Sequence, residues 1–184
     1  MTEFSDQDAY DLAAIHEVLR GNREAFARIV ERYQGMVLRL ARRYLGNEQD
    51  AADAAQEIFL KVYRALPFFR LDRRLHPWLY GIAVNHLRSS YRRIKPRREQ
   101  NRPMSQPHPD PRSDPADQAV AAGERERVHA AVMRLPNSIR EAVVLYYLEE
   151  LSVADVAEAL GISRENVKSR LHRGRRLLRS RLQD

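Results

Sequence analysis

Apolar residues recur at intervals of three and four along most of the 184-residue chain, which is the spacing of amphipathic helices. The two-residue alternation typical of strands is rare, so the sequence predicts an all-α fold. Before residue 96 the pattern predicts helices over 8–20, 23–45, 50–66 and 78–94. After residue 116 it predicts four more, over 117–134, 138–148 and 153–160 and from 164 onward.

Residues that start and stop helices lie between these elements. Gly46 is expected to end the second helix in a left-handed conformation, and Asn22 can cap its start. Pro77 fits the first position of the fourth helix. Ser138 and Glu141 have the spacing of a capping box, which predicts the start of the helix that runs to residue 148.

A proline-rich segment interrupts the helical pattern. Residues 96–115 hold six of the nine prolines and almost no apolar side chains, a composition typical of an extended or disordered linker. The chain is therefore predicted to form two small helical domains, over 1–95 and 117–184, joined by a flexible linker over 96–116. The second domain is predicted to consist of four helices.

The last two predicted helices meet at Gly161. The first places apolar Leu160 at its end, and Ser163 can cap the second. The second helix has Val167 and Leu171 on its apolar side and a largely basic outer side. This pattern is typical of a DNA-binding helix-turn-helix, with an ordinary helical hairpin as the alternative. The candidate DNA contacts are Ser163, Arg164, Glu165, Lys168, Ser169, His172, Arg173 and Arg176.

Two further stretches have unusual charge. Residues 73–98 contain no Asp or Glu, and aromatic residues such as Trp78 and Tyr91 are interleaved with arginines. Such a surface favours single-stranded nucleic acid, although a buried Trp78 and solvated arginines are the alternative. The third helix is the opposite case, because it gathers acceptor side chains on one face. These side chains either complement the helix dipole or bind a partner that carries arginine; they are Asp50, Asp53, Gln56 and Glu57.

Composition narrows the function further. The net charge of +7 favours a polyanionic partner, with nucleic acid first. Cysteine is absent, which excludes disulfides and thiol chemistry, and the acidic N-terminus does not resemble a signal peptide, so a cytoplasmic protein is expected. We find no membrane-spanning run and no catalytic, phosphate-binding or metal-binding motif. The sequence therefore predicts a protein that is not an enzyme, has no metal or cofactor and no small-molecule substrate, and does not insert into a membrane.

Three segments resemble one family when they are taken in order. Residues 25–70, which include DAADAAQEIFLKVYRAL, resemble the first conserved block of bacterial sigma factors of the extracytoplasmic-function (ECF) group. Residues 76–93 resemble the adjoining block, through the pattern Trp-Leu-x-x-Ile-Ala-x-Asn at 78–85. Residues 135–179 are similar to the C-terminal block. The resemblance implies a dissociable RNA polymerase subunit that binds the core enzyme and directs initiation at specific promoters.

The family's known contacts imply roles for residues of this chain. The third helix would bind the clamp helices of the largest core subunit through Asp50, Asp53, Gln56 and Glu57. The C-terminal helix-turn-helix would read the minus-thirty-five promoter element through the candidate DNA contacts given above. The linker would thread towards the active-site channel. The minus-ten element would be melted and bound by Phe69, Arg70, Trp78, Asn85, His86, Arg88, Arg92 and Arg93.

The resemblance also implies partners beyond DNA and the clamp. These are the flap of the second-largest core subunit and an anti-sigma factor. One position departs from the family, because Ser89 stands where many members have Asp, so minus-ten base preference is not transferable. A stand-alone helix-turn-helix regulator is the alternative function, although such a regulator needs neither the acidic third helix nor the acid-free 73–98 stretch.

Overall fold

The computed structural model describes residues 5–100, 123–124 and 127–183, and the side chains of 94–100 lie outside this description. Within the described residues the fold is all-α and contains no strand, which confirms the predicted fold class. The helical periodicity of the sequence therefore corresponds to helices that bury their apolar sides.

The chain divides into two compact units, Met1–Ile94 and Lys95–Asp184. The predicted linker over 96–116 falls largely outside the described residues, and it stays a prediction together with the predicted domain limits. Its first five residues are an exception, because the backbone of the fourth helix continues as far as Gln100.

In the described residues, four helices and two short 3-10 turns form the first unit. Helix α2 ends at Gly46, whose φ of 64° is the left-handed conformation predicted for it. Asn47 caps the next helix by accepting a hydrogen bond from the backbone N–H of Asp50 at 2.7 Å. The elements are α1 (Asp6–Leu19), a 3-10 turn (Arg23–Ala25), α2 (Phe26–Leu45), α3 (Glu48–Ala65), a second 3-10 turn (Leu66–Phe68) and α4 (Leu75–Gln100).

Two local predictions in this unit are wrong. Helix α4 begins at Leu75, so Pro77 is its third residue rather than its first. A proline is tolerated there because the first-turn N–H groups have no partner within the helix. Asn22 makes no side-chain capping bond, since the chain enters α2 through the 3-10 turn instead.

The first unit has an apolar core with one polar network in it. Ile29, Leu40, Ile58 and Leu79, from three helices, are each at most 1% exposed, as the periodicity requires. The network begins at Asp11 of α1, which is buried and accepts a 2.5 Å hydrogen bond from the Tyr33 hydroxyl of α2. Burial raises the pKa of the Asp11 carboxyl, and the Tyr33 hydrogen bond opposes that shift. The network attaches α1 to α2.

In the second unit, the described helical residues after α4 are 123–124 and then α5 over 127–133. The helix predicted over 138–148 is α6 (Asn137–Val143), followed by a wider π-helical turn (Val144–Leu148). The predicted Ser138 capping box is wrong: Pro136 is the N-cap, and Glu141 is buried at 2% exposure. The remaining helices are α7 (Val153–Leu160) and α8 (Arg164–Gln183).

Two glycines set the position of α8. Gly161 ends α7 with φ 63°, as predicted for the turn of a helix-turn-helix. Gly174, in the middle of α8, lies so close to α6 that an added Cβ would stand 2.6 Å from Val143 Cγ2 and 3.1 Å from Ile139 Cγ2. The absence of a side chain at Gly174 therefore allows α8 to approach α6 closely.

Candidate functional site

The predicted polymerase-binding residues lie on the surface of α3. Asp53, Gln56 and Glu57 are exposed, and Asp50 is partly exposed at the helix start. The Asn47 side chain contacts the Asp50 carboxylate, so Asp50 also belongs to the N-terminal cap. The three residues beyond the cap take no part in capping, and of these Glu57 also lies 3.6 Å from His86 of α4.

Leu60 is a surface residue that the sequence reasoning missed. It follows Gln56 by four positions and Glu57 by three, so it shares their side of α3. Its side chain is 55% exposed. The sequence pattern that could have identified Leu60 is an apolar residue at helical spacing within an otherwise polar helix face. We call Asp53, Gln56, Glu57 and Leu60 the α3 stripe.

The segment between α3 and α4 contains two adjacent phenylalanines that differ in exposure. Phe69 is buried and packs edge-on against Trp78, with ring centroids 4.9 Å apart. Phe68 is 85% exposed. Arg70 pairs with Asp72 at 2.6 Å, and this hydrogen bond lowers the pKa of the Asp72 carboxyl. The exposed aromatic of this segment is thus Phe68, whereas the residue named as a minus-ten contact is Phe69.

Helix α4 presents most of its predicted minus-ten residues on one face. Asn85, Arg88 and Arg92 follow one another at intervals of three and four, and Asn85 and Arg92 are exposed. Trp78 and Arg88 are partly exposed, and Arg93 is exposed one position further round the helix. The structure therefore brings these residues together as a polar, basic surface.

His86 lies apart from that surface, because it is only 4% exposed. Its Nε2 is 3.6 Å from the carboxylate of Glu57 on α3 and 3.3 Å from the Ser90 hydroxyl. Burial, together with the positive charge of Lys61, holds the pKa of the His86 imidazole below its ordinary value. In the described structure the buried imidazole contacts protein neighbours, and its contact with DNA stays a prediction.

The predicted minus-thirty-five contacts occupy the outer side of α8 and are all exposed. Ser163 caps the helix by accepting a hydrogen bond from the Asn166 N–H at 3.2 Å, as predicted. Backbone and Ser163 hydrogen bonds hold the pKa of the Glu165 carboxyl below its ordinary range. Arg170 points elsewhere and donates to the Ser138 carbonyl at 3.3 Å, which explains why it does not belong to the outer row.

Two other kinds of site were searched for within the described residues. No group of three or more His, Asp or Glu side chains there could hold a metal ion. None of the helices in that part of the chain combines the length and apolar character needed to cross a bilayer.

Comparison with known families matches both units. Residues 29–97 match Sigma-70 region 2, and residues 125–178 match Sigma-70, region 4. The first match covers α3, α4 and the segment between them, and the second covers the helix-turn-helix. The fold and the surfaces thus define a sigma-70-type transcription factor.

Relatives that align with nearly the whole chain identify the group of sigma factors to which it belongs. The ECF RNA polymerase sigma factor SigW of Bacillus subtilis is 35% identical over 179 residues, covering 92% of this chain and 95% of SigW. The RNA polymerase sigma-H factor of Pseudomonas aeruginosa is 34% identical, with 94% of each chain covered. The chain belongs to the ECF sigma factors. It directs promoter-specific transcription initiation by RNA polymerase, which confirms the prediction over the stand-alone regulator.

Solved structures agree with this assignment. CnrH, solved in complex with the cytosolic domain of CnrY, superposes with a TM-score of 0.70 at 28% identity, covering 95% of this chain and 97% of CnrH. The sigma factor RpoE of Bartonella quintana, solved with the anti-sigma factor NepR, has a TM-score of 0.63 at 22% identity and supports the fold alone. The residue-level contacts remain predictions.

Proposed function

We propose that the surfaces described above divide promoter recognition among them. The α3 stripe, with Asp50, binds the polymerase clamp helices. The surface of α4 and the preceding segment hold the melted minus-ten strand, and the outer row of α8 reads the minus-thirty-five duplex. The observation that carries the proposal is the outer row of α8, since every predicted contact there is exposed while Val167 and Leu171 are buried. The protein acts on promoters without catalytic chemistry of its own.

The two phenylalanines suggest a refinement at the minus-ten element. Phe68 is exposed and can stack on an unpaired base, which is worth about 1–3 kcal/mol per base. Phe69 and His86 are buried, so we propose that they position Trp78 and the α4 surface rather than touch the strand. Asn85, Arg88, Arg92 and Arg93 then supply polar and phosphate contacts.

The test is transcription with purified core polymerase on a library of promoter sequences, with and without the full chain. We expect run-off transcripts from a defined subset of promoters only when the chain is present, and this subset shares two spaced elements. If the transcripts do not depend on the chain, the proposed division of promoter recognition is wrong.

The outer row of α8 gives a prediction of its own. Lys168→Ala and Arg173→Ala should each weaken binding to duplex DNA that contains the minus-thirty-five element. Each removed phosphate contact should lower the slope of log affinity against log salt by about 0.9. The matched control is Arg23→Ala, an exposed arginine in the first unit, which removes the same charge. Equal slopes for all three variants would show that Lys168 and Arg173 do not contact phosphates.

Partners beyond DNA follow from the relatives. Because CnrH has been solved with the cytosolic domain of CnrY, we propose that a cytoplasmic anti-sigma segment also binds this chain. The second unit would additionally contact the polymerase flap. The two units act in the cytoplasm as separate modules, over the predicted domains 1–95 and 117–184.

A further inference from the structure

One side of α2 carries a row of arginines that is interrupted by a glycine. The row lies along about 21 Å of the helix, because its members follow one another at intervals of four, three, four and three. We call it the α2 basic face; its members are Arg28, Arg32, Gly35, Arg39 and Arg42. It shares no residue with the α3 stripe, the α4 surface or the outer row of α8.

Helix α1 supplies carboxylates to the first part of this face. Arg28 pairs with Glu17 at 2.6 Å, and Arg32 Nε lies 3.5 Å from the Asp11 carboxylate. The sequence of α1 has four carboxylates and no lysine or arginine. The α2 basic face therefore already binds one acidic helix through its arginines.

Beyond Arg32 the same face is open. Gly35, Arg39 and Arg42 are exposed, and no carboxylate in the described part of the chain pairs with Arg39. Arg42 donates from Nε to Glu48 at 2.8 Å, but the Glu48 side chain is itself 67% exposed. An ion pair so open to water is weak, so Arg42 can exchange this carboxylate for that of a partner.

Only the Arg39 side chain approaches Gly35 in the described structure. A Cβ added at Gly35 would meet Arg39 Nη1 at 3.6 Å and nothing closer. Gly35 lies within α2 and does not have a positive φ, and a glycine in the middle of a helix lowers the stability of that helix relative to alanine. Packing and backbone conformation therefore do not explain the glycine, which leaves the backbone of α2 open to close approach from outside.

The glycine favours a protein helix over nucleic acid as the partner of this face. Arginine side chains reach phosphates from a helix surface without help from a neighbouring glycine. Two helices that cross at a small residue can instead bring their axes to about 8 Å, the short end of the usual range. The arginine one turn further along then reaches the carboxylates of the crossing helix, which it binds in bidentate geometry.

We propose that the open part of the α2 basic face is a docking site for an acidic helix of a partner protein. The partner helix crosses α2 at Gly35, and its carboxylates pair with Arg39 and Arg42. This arrangement repeats, on the open half of the face, the way in which α2 binds α1. Such a partner does not compete for the residues proposed to bind polymerase or promoter DNA.

The experiment uses the full chain with one fluorescent label beside Gly35. The chain contains no cysteine, and Gln34 is exposed, so Gln34→Cys provides a single site for the label. The probe is an alanine-based peptide of about 20 residues, long enough to form a helix in water, with glutamates at helical spacing on one side. We expect a saturable change in the fluorescence of the label, because the crossing helix covers the residue beside it.

Two variants test the contacts. Gly35→Ala should weaken peptide binding about tenfold by keeping the helices apart. It retains the charge and should raise the stability of α2, so the loss cannot come from unfolding. Arg39→Ala should also weaken binding about tenfold, because a carboxylate loses its partner. Its control is Arg23→Ala, which removes the same charge elsewhere in the unit and should stay within about twofold of the wild type.

Three results would overturn the inference. They are an unresponsive label, equal affinities for Gly35→Ala and the wild-type glycine, and equal affinities for Arg39→Ala and Arg23→Ala. Single-stranded DNA of the same charge is the competing ligand: if it binds at the label as tightly as the peptide, and equally well to Gly35→Ala, the face is a nucleic-acid surface instead. If Gly35→Ala lowers promoter-dependent transcription in parallel with peptide binding, the face belongs to the polymerase or promoter interface.

Discussion

Glu57→Arg is expected to lower the affinity of the chain for core polymerase about 100-fold, since like charges brought together at an interface cost several kcal/mol. The Glu57 side chain is 57% exposed, so reversing its charge changes the surface and leaves the core packing intact. Glutamate and arginine also have similar helix propensities, so α3 itself should keep its stability. The measurement is a binding titration of the labelled chain against purified core enzyme.

The control for this variant is Glu31→Arg. Glu31 is exposed on α2 and lies outside the α3 stripe, so the change in net charge is the same. Its polymerase affinity should stay within about twofold of the wild type, because an exposed charge away from the interface is screened by salt. Equal losses for the two variants would show that net charge, rather than the α3 stripe, governs binding.

Most of the fold could be predicted from the helical spacing of apolar residues and from the glycines at helix ends. The spacing of apolar residues follows directly from burial of one helix side, and that relation holds in both units. Gly46 and Gly161 each adopt the positive φ expected at a helix end. The exposure of Asp53, Gln56 and Glu57 was predictable because polar side chains recur there on one side of the helix, whereas Leu60 of the same stripe was missed.

The differences from the sequence predictions have different physical causes, some of them local and some from contacts between distant residues. The sequence alone does not show which of Phe68 and Phe69 is buried, because Phe69 is buried by packing against Trp78 of the next helix. Ser138 has a valid capping pattern, but Pro136 begins the helix earlier, and Glu141 is drawn into the core.

His86 was misplaced for a simpler reason. It was grouped with its basic neighbours in the sequence, although it stands one position after Asn85 and therefore about 100° further round α4. That rotation carries it from the exposed face of Asn85 to a buried position against α3. A count of helical angles would have separated the two residues.

Gly174→Ala should destabilise the second unit by about 1–2 kcal/mol. The added methyl would overlap Val143 Cγ2 at 2.6 Å, and such overpacking typically costs about 1–3 kcal/mol. The higher helix propensity of alanine returns about 1 kcal/mol at most. Steric overlap wins because Val143 is buried and β-branched, so it has little rotamer freedom to move aside in a helix.

Gly35→Ala is the opposite case and serves as the control. Gly35 is exposed within α2, and its added Cβ would meet only Arg39 Nη1 at 3.6 Å, an ordinary contact. We expect this variant to stabilise the first unit by about 0.5–1 kcal/mol. The single tryptophan, Trp78, belongs to the first unit, so its fluorescence should detect the Gly35 change during urea unfolding.

The Gly174 change should instead move the circular dichroism transition and leave the Trp78 fluorescence transition in place. Adding Val143→Ala to Gly174→Ala removes the overlapping methyl, so the double variant should be more stable than the sum of the single effects by about 1 kcal/mol. Additive effects would mean that the close approach of α8 to α6 is not what requires glycine. Because α8 carries the proposed minus-thirty-five contacts, Gly174→Ala should also weaken duplex binding under conditions where the protein is folded, and Val143→Ala should restore part of that affinity.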